Sequence, residues 1–331
     1  MKTMSFLRIT IIIACIGLFF ACSKNSSSGS STTTTVDDLQ TQSDDQTMAS
    51  NEDDAMNNDA DAALSSNVSI AGSSVNSTPV NGAIAEMGVN GIDSASTNVI
   101  CDATITYDTT SSTRTLTITY NGANCWGNRT RTGSISISVP QGVHWGDVGA
   151  TVTITVDDLK ITRVRDNKTI TFNGTKTITN VTGGLLKNLA TLQNITHTIS
   201  ATLTIVYPNG KSSNWNASKQ RAFSYDNGVV ISTTGTHSDG TNSNVAEWGT
   251  NRFGVSYESQ ITVAKVIAQS CDFRLTSGAN LITNSNGASA TITYGLDATG
   301  NPTSCPGTGS YYAQLVYVSP AGKTYTYIFP Y

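Results

Sequence analysis

The chain has 331 residues, of which 38% are hydrophobic and only 13% are charged, and its formal net charge is −4. Charged residues make up about a quarter of an average soluble domain, so serine, threonine, asparagine and glycine must cover much of this surface. The weak negative charge argues against a nucleic-acid binder held by phosphate contacts, and no apolar run approaches the ~20 residues of a membrane-spanning helix.

The first residues have the layout of a secretory signal. Lys2 and Arg8 supply positive charge, and the apolar stretch from Ile9 to Ala21 is too short to cross a bilayer by itself. Cys22 follows this stretch, and polar sequence follows the cysteine. This arrangement resembles the lipobox of bacterial lipoproteins. The resemblance implies a signal peptide over residues 1–21 and acylation of Cys22, for example with palmitate.

Two alternatives stay open at this end of the chain. Cys15 also follows a small residue, but cleavage there would leave a very short apolar segment. An ordinary signal peptide with an incidental cysteine would give no anchor. Ser23, rather than an acidic residue, follows Cys22 and resembles lipoproteins that are passed to the outer membrane. We therefore expect a lipid-anchored outer-membrane protein that faces either the cell surface or the periplasm.

Residues 22–98 are expected to form a disordered tether. Ser26–Thr35 is almost entirely serine and threonine, and nine carboxylates without a basic residue follow it. These carboxylates are Asp37, Asp38, Asp44, Asp45, Glu52, Asp53, Asp54, Asp59 and Asp61. Low hydrophobicity and charge of one sign favour disorder, because burial cannot offset the entropy lost on ordering. We interpret the acidic run as a solvated spacer rather than a calcium-binding tail, since it lacks a D-x-[DN]-x-[DN]-G loop.

Residues 99–331 alternate hydroxyl and apolar side chains with a period of two. Thr115–Tyr120, Ser134–Val139 and Thr151–Val156 are clear copies of the pattern. Further copies are Thr175–Val181, Ser200–Tyr207, Gly254–Ala264, Ala288–Tyr294, Gln314–Val318 and Thr324–Phe329. Successive side chains on a strand face opposite ways, so each copy has an apolar face for a core and a hydroxyl face for water.

Turn signals separate these copies. They are Asn121-Gly122, Pro208-Asn209-Gly210, Asp226-Asn227-Gly228, Asn286-Gly287 and Ala321-Gly322. Short connections of this kind join antiparallel strands. The sequence therefore predicts an all-β domain with an antiparallel multi-strand sheet. This sheet is a meander, a sandwich or a barrel-like arrangement. Only Leu185–Ile195 is expected to be briefly helical.

Four cysteines remain after the signal, namely Cys101, Cys125, Cys271 and Cys305. An even number in an exported chain indicates disulfides, and four cysteines allow three pairings. We favour Cys101–Cys125 and Cys271–Cys305, because each pair brackets one or two predicted strands. A zinc site would require a C-x-x-C spacing or nearby histidines, and the sequence has neither.

Several short stretches together resemble a known family. The first is Asn124–Ile135, in which a cysteine is followed by G-x-R-x-R-x-G, and the second is the strand Asn173–Asn180. Next come Trp215 followed by Arg221, and the hairpin Gly249–Tyr257. The last is Ser270-Cys271, together with a final cysteine after Gly295-Leu296-Asp297. In this order they are similar to the uncharacterised β-rich lipoproteins of the Bacteroidota. The resemblance extends from Cys101 to Tyr331 and implies a location and a fold class, but no catalytic residues.

The sequence offers few groups for catalysis. His144, His197 and His237 lie far apart and outside any spaced motif, and His197 occupies a position expected to face outward. We therefore expect no cofactor and no metal site.

One acidic pair is a weak candidate for glycosidase chemistry. Asp157-Asp158 follows a predicted strand and would need Glu247 or Glu258 as its partner carboxylate. The favoured interpretation is a polar turn after the strand.

The four tryptophans are the candidate ligand-binding residues. Trp126, Trp145, Trp215 and Trp248 lie in loop-like sequence beside glycine, asparagine or histidine. Loop residues carry binding function more often than core residues, and an exposed tryptophan can stack on a sugar or on a partner side chain. The favoured interpretation is that each tryptophan closes an end of the sheet core.

A loose basic cluster consists of Arg129, Arg131, Arg163, Arg165 and Lys168. Residues two apart share a strand face, so these side chains form either a small anion-binding patch or, in the favoured interpretation, a solvated face that deters edge pairing.

These observations favour a non-enzymatic lipoprotein with a structural role or a binding role toward a glycan or an envelope protein. The alternative is a carbohydrate-active enzyme or its sugar-binding accessory protein. Ser94 and Thr109 lie in motifs that resemble the O-glycosylation sites of exported proteins of this bacterial group. We expect the protein to contact the membrane through its N-terminal lipid, and we expect no nucleic-acid partner.

Overall fold

The computed structural model describes residues 36–72, 100–108, 112–271, 273–305 and 310–331. Its helices are α1 (Val36–Ser66), α2 (Val68–Ala71) and α3 (Leu189–Leu192), with 3-10 turns at Leu186–Asn188 and Gln269–Cys271. Its strands are β1 (Ala103–Asp108), β2 (Thr113–Ala123), β3 (Arg129–Pro140), β4 (Ala150–Arg163), β5 (Lys168–Asn180), β6 (Asn194–Val206), β7 (Ser212–Tyr225), β8 (Val229–Gly235), β9 (Val245–Thr250), β10 (Ser256–Ala268), β11 (Arg274–Asn284), β12 (Ser289–Leu296), β13 (Tyr312–Val318) and β14 (Thr324–Pro330).

The strands of the described residues form one antiparallel sheet, which confirms the predicted all-β class. Strands follow one another across the sheet in chain order, so the topology is a meander. The exception is β9, which pairs with both β10 and β7, while β8 pairs directly with β10. Strands β1 and β14 form the two ends of this path.

The alternation of hydroxyl and apolar residues fixes which face of each strand is buried. In β4, Val152, Ile154 and Val156 are buried while the threonines between them are exposed. Because side chains alternate between the faces of a strand, the apolar set lines the inner face and the threonines coat the outer face. Four of the five predicted turns connect β6–β7, β7–β8, β11–β12 and β13–β14.

Two local predictions were wrong. Asn121-Gly122 is not a turn but part of β2, paired with Thr132 and Arg131 of β3. The chain reverses instead between positions 124 and 128, where the side chain of Asn124 accepts a hydrogen bond from the backbone N–H of Asn128 at 3.1 Å.

The second error concerns Asp157-Asp158, which does not end a strand. The pair forms a bulge within β4, where the register with β5 shifts between Val156 and Leu159. Gly133 of the neighbouring strand has φ +108°, and a Cβ there would overlap the carbonyl oxygen of Asp158. Only glycine therefore fits opposite this bulge.

The largest correction concerns the tether. Its segment from Val36 to Ala71 is not disordered but forms α1 and α2, and most side chains of α1 are buried against the sheet. The segments 22–35 and 73–99 lie outside the described residues. The prediction was wrong because cations of the sheet neutralise the acidic run, so its charge of one sign is not left unpaired.

The predicted disulfides and the predicted short helix are confirmed. The Cys101–Cys125 and Cys271–Cys305 disulfides are both present, and Leu185–Ile195 contains the short helix α3. In the part of the chain that the structure describes, no helix is long and apolar enough to span a membrane.

Candidate functional site: the acidic helix inside the sheet

Helix α1 is enclosed by the inner face of the sheet. Its side chains contact strands from β2 to β12, and Asp53 and Asp59 are fully buried. The helix has no apolar stripe and no basic residue with which its carboxylates could pair internally. Since burying a charge is costly unless it is paired, cations of the sheet must compensate the acids of α1.

The centre of this contact is a cluster of two lysines and two carboxylates. Lys176 of β5 donates a hydrogen bond to Oδ1 of Asp53, and Lys219 of β7 lies 3.2 Å from Oδ2 of the same aspartate. Lys219 also lies 2.8 Å from Glu247 of β9. Burial alone would raise the pKa of Asp53, but the two lysines outweigh it and lower that pKa to about 2. Burial opposes the charge of Lys219 as well, yet Glu247 and Asp53 raise its pKa above the ordinary value.

A second cluster holds the C-terminal half of the helix. Arg131 of β3 donates to Asp59 at 2.7 Å and makes a bidentate pair with Asp102 at 2.7 and 2.6 Å. Tyr120 of β2 donates to the same oxygen of Asp59 at 2.8 Å, and the Arg131 guanidinium lies 4.3 Å from the centre of the Tyr120 ring. Burial raises the pKa of Asp59 and, together with the Asp59 charge, raises the pKa of Tyr120 well above 10. Tyr120 is therefore a neutral donor.

The N-terminal end of the helix lies at an open edge of the inner face. Arg163 donates two hydrogen bonds to Asp44 at 2.8 and 2.9 Å, and Lys168 contacts both Asp44 and Asp45. Arg252 makes a bidentate pair with Asp45. Burial opposes ionisation of Asp44, but Arg163 and Lys168 outweigh it and lower its pKa to about 2.

A cleft of about 380 Å³ opens beside these pairs. It is lined by Thr41, Asp44, Asn167, Lys168, Thr169, Pro208, Asn209 and Arg252.

His197 was expected on the surface and is instead buried on the inner face. Its Nδ1 lies 3.4 Å from a carboxylate oxygen of Asp61, and its ring packs against Trp145 and Phe223 at 5.0 and 4.8 Å. The prediction was wrong because the polar residue occupies the inward phase of β6, between Ile195 and Ile199, where it meets a helix acid.

The basic cluster seen in the sequence therefore has an anionic partner within the chain. Arg129 pairs with Glu52 at 2.8 Å, Arg131 with Asp59, and Arg163 and Lys168 with Asp44. Arg165 lies 3.9 Å from Asp44 and donates to the carbonyl of Pro330 at 2.9 Å. The favoured interpretation as a solvated face was wrong for Arg129, Arg131, Arg163 and Lys168, because acids of the helix pair with them, whereas Arg165 is exposed.

The four tryptophans separate into two groups. Trp145 and Trp215 are buried, and Trp215 lies within β7 rather than in a loop. Trp126 is 39% exposed at the β2–β3 turn. Trp248, within β9, is half-buried and stacks on His237 with ring centroids 4.1 Å apart. The structure does not bring the four rings to one surface.

The carboxylates proposed for glycosidase chemistry do not converge. Asp157 is exposed on the outer face at the β4 bulge, whereas Glu247 is buried on the inner face and paired with Lys219. Glu258, half-buried, accepts a hydrogen bond from Asn242 at 2.9 Å. A concave site with two facing carboxylates is therefore not formed by these residues.

Other candidate residues lie outside the described residues. These are Cys22, Ser94 and Thr109. Within the described ranges, no group of three or more histidines, cysteines, aspartates or glutamates is arranged to hold a metal ion.

The lysines that pair with the helix were missed in the sequence, although a signal for them exists. Lys176 stands in the same phase of β5 as Ile178, and Lys219 and Arg221 stand in the phase of Phe223 in β7. When cations repeatedly occupy strand positions that face the core, the inner face of the sheet needs an anionic partner.

Fold and site together define an antiparallel meander whose inner face is occupied by an acidic helix of the same chain. No family model, no curated protein and no solved structure matches this chain.

Proposed function

We propose that the protein is an outer-membrane lipoprotein, anchored through Cys22, with a structural or binding role and no catalytic one. The observation that carries the proposal is that the protein's own helix fills the interior of the sheet and neutralises its cations. Contacts with a glycan or an envelope protein then fall to the hydroxyl-rich outer face and the loops. The resemblance to β-rich lipoproteins of the Bacteroidota supports the same assignment.

The position of α1 sets the distance between anchor and domain. Only 14 positions separate Cys22 from Val36, where α1 begins. A chain of that length spans at most about 50 Å when fully extended. The folded domain is thus held closer to the membrane than a tether reaching to residue 98 would allow.

Metabolic labelling with a fatty acid tests the anchor. We expect label on the wild-type protein, no label on Cys22→Ala, and unchanged label on the matched control Cys15→Ala. Label that persists on Cys22→Ala would remove the proposal. Protease shaving of intact cells then distinguishes the cell surface from the periplasm.

A glycan-binding role is favoured by the two accessible tryptophan sites. Trp126 projects from a disulfide-bonded turn, and Trp248 presents a ring stacked on His237. Exposed aromatic rings stack on sugar faces. A sugar-binding accessory protein is therefore better supported than a glycosidase, whose carboxylates would have to converge.

Retention on a glycan array tests this role. We expect Trp126→Ala and Trp248→Ala to lose retention at unchanged thermal stability, while Val148→Ala, at a residue 77% exposed, retains it. Equal retention by all variants would exclude these rings from glycan binding.

Intact mass of the native protein tests the predicted glycosylation of Ser94 and Thr109, since glycosylation requires mass beyond that of polypeptide and lipid.

A further inference from the structure

Without helix α1, the inner face of the sheet would carry a large uncompensated positive charge. The buried cations that the described strands place there are Arg114, Arg131, Lys176, Lys219, Arg221 and Lys265. Against them, the buried carboxylates outside the helix are Asp102 and Glu247. An isolated charge in a protein interior is strongly unfavourable. The folded sheet therefore requires an acidic segment as its occupant.

The acids of α1 match this face along the length of the helix. Asp45 meets Arg252 near its N-terminal end, Asp53 meets Lys176 in the middle, and Asp59 meets Arg131 toward its C-terminal end. The complementarity is a property of the amino-acid sequence of α1. A helix of the same sequence from another molecule would make the same pairs.

Neither disulfide holds the helix to its own sheet. Both join residues between Cys101 and Cys305. The backbone contacts of the adjoining α2 are few: Trp145 and Gly146 donate to the carbonyls of Ile70 and Ala71 at 2.7 and 3.1 Å. Residues 73–99, 27 positions that span at most about 90 Å when extended, connect this unit to the sheet. That length allows the helix to reach a neighbouring molecule.

Strand pairing also does not close the sheet around the helix. Among the described residues, β1 and β14 each pair with a single neighbour, so the hydrogen-bonded path is open rather than closed. At the β1 edge, Ser66 and Tyr107 share one hydrogen bond of 2.7 Å between hydroxyls. Exchange of the helix therefore breaks ion pairs, hydrogen bonds and apolar contacts, but no ladder between strands.

We propose that the inner face also accepts α1 from a second copy of this chain, giving a dimer in which two molecules exchange their acidic helices. Each helix forms in its partner the ion pairs that it forms in its own chain, so the exchange conserves the contacts and its extent rises with protein concentration. This inference does not depend on the lipid anchor.

Chemical cross-linking of full-length chains tests the exchange. Asp45 and Arg252 meet only at the ends of their side chains, so the thiols of Asp45→Cys and Arg252→Cys lie beyond the reach of a direct disulfide but within the reach of a short bis-maleimide. When the two thiols are on different chains, the reagent joins them only if the helix has moved between molecules. The two variants are unfolded together, refolded as a mixture, treated with the bis-maleimide, and analysed by denaturing electrophoresis and mass spectrometry. The matched control pairs Arg252→Cys with Thr153→Cys, an exposed outer-face position.

The expected result is a mixed cross-linked dimer several-fold more abundant than in the Thr153→Cys control and increasing with protein concentration. A single chain carrying both Asp45→Cys and Arg252→Cys should cross-link internally at low concentration. Internal cross-linking without mixed dimer above the control would overturn the proposal, since it would place the helix in its own sheet alone. Absence of both products would overturn it as well, because the helix would then not lie at Arg252.

Discussion

Asp53 of helix α1 contacts Lys176 of strand β5, 123 positions later in the chain, and both side chains are fully buried. Lys219 of β7 lies on the other oxygen of the same aspartate. One carboxylate thus joins two strands to the helix at the centre of the protein. Buried ion pairs contribute little net stability when they are compared with apolar replacements, but loss of one partner is costly because it leaves an unpaired charge. The arrangement therefore specifies which segment fills the sheet.

Asp53→Asn is expected to lower the free energy of unfolding by about 3–5 kcal/mol. Asparagine keeps the size of the side chain but removes the charge shared by Lys176 and Lys219. The control is Asp157→Asn on the exposed outer face, which should change stability by less than about 0.5 kcal/mol. Urea unfolding of the purified chains measures both. Equal effects of the two variants would show that Asp53 is solvated.

Stability is expected to fall as the pH drops from about 4 to about 2. The pKa of Asp53 is about 2 in the folded protein against an ordinary value of 3.8. A carboxylate with a lowered folded pKa contributes its stability in full above the unfolded value and loses it as the pH approaches the folded value. For Asp53 this amounts to about 2 kcal/mol. Asp44, with the same folded pKa, acts in the same direction.

Urea unfolding at pH 5 and pH 2.5 checks this dependence. The wild-type protein should lose more stability between the two pH values than Asp53→Asn does, because the variant lacks one of the titrating groups. Identical losses would contradict a lowered pKa at Asp53.

The alternation pattern explains why the sheet could be predicted and the helix could not. Each segment that alternates threonine and apolar residues shows which face of its own strand is buried. The fold class, the antiparallel pairing and most turns can therefore be predicted from local sequence. The position of α1 depends on pairs such as Glu52–Arg129 and Asp54–Lys265, which join distant segments. The local sequence around one residue of such a pair does not indicate which residue is its partner. A helix without an apolar stripe also lacks the usual signal of a buried helix.

The bulge at Asp157-Asp158 could also not be predicted from local sequence, because it depends on a residue of another strand. Two adjacent aspartates are typical of a turn, and nothing within β4 signals that the strand continues. Gly133 of β3 permits the continuation by leaving room for the Asp158 carbonyl. The decisive residue therefore lies on the neighbouring strand.

Tryptophan substitutions should separate core from surface. Trp215→Ala is expected to cost about 3–5 kcal/mol, because the ring is buried beside Lys219 and Glu247. Trp126→Ala at the exposed turn should change stability by less than about 0.5 kcal/mol. Thermal and urea unfolding measure the difference. A large loss from Trp126→Ala would assign that ring to the core.

Replacement of Cys101 and Cys125 by serine is expected to destabilise the protein by about 3 kcal/mol, because the disulfide closes a loop of 24 residues. The helix should remain in place, since this disulfide does not include it. Urea unfolding gives the loss, and near-ultraviolet circular dichroism reports the packing of the buried Trp145 and Trp215. A native near-ultraviolet spectrum with no loss of stability would show that the bond is dispensable.

Hydrogen–deuterium exchange of the full-length protein tests the central claim most directly. If the acidic helix is enclosed by the sheet, backbone amides between Asp44 and Leu64 should exchange as slowly as those of β5 and β7, and Asp53→Asn should accelerate them. Exchange of these amides at the rate of an unfolded chain, with the strands still protected, would contradict the account.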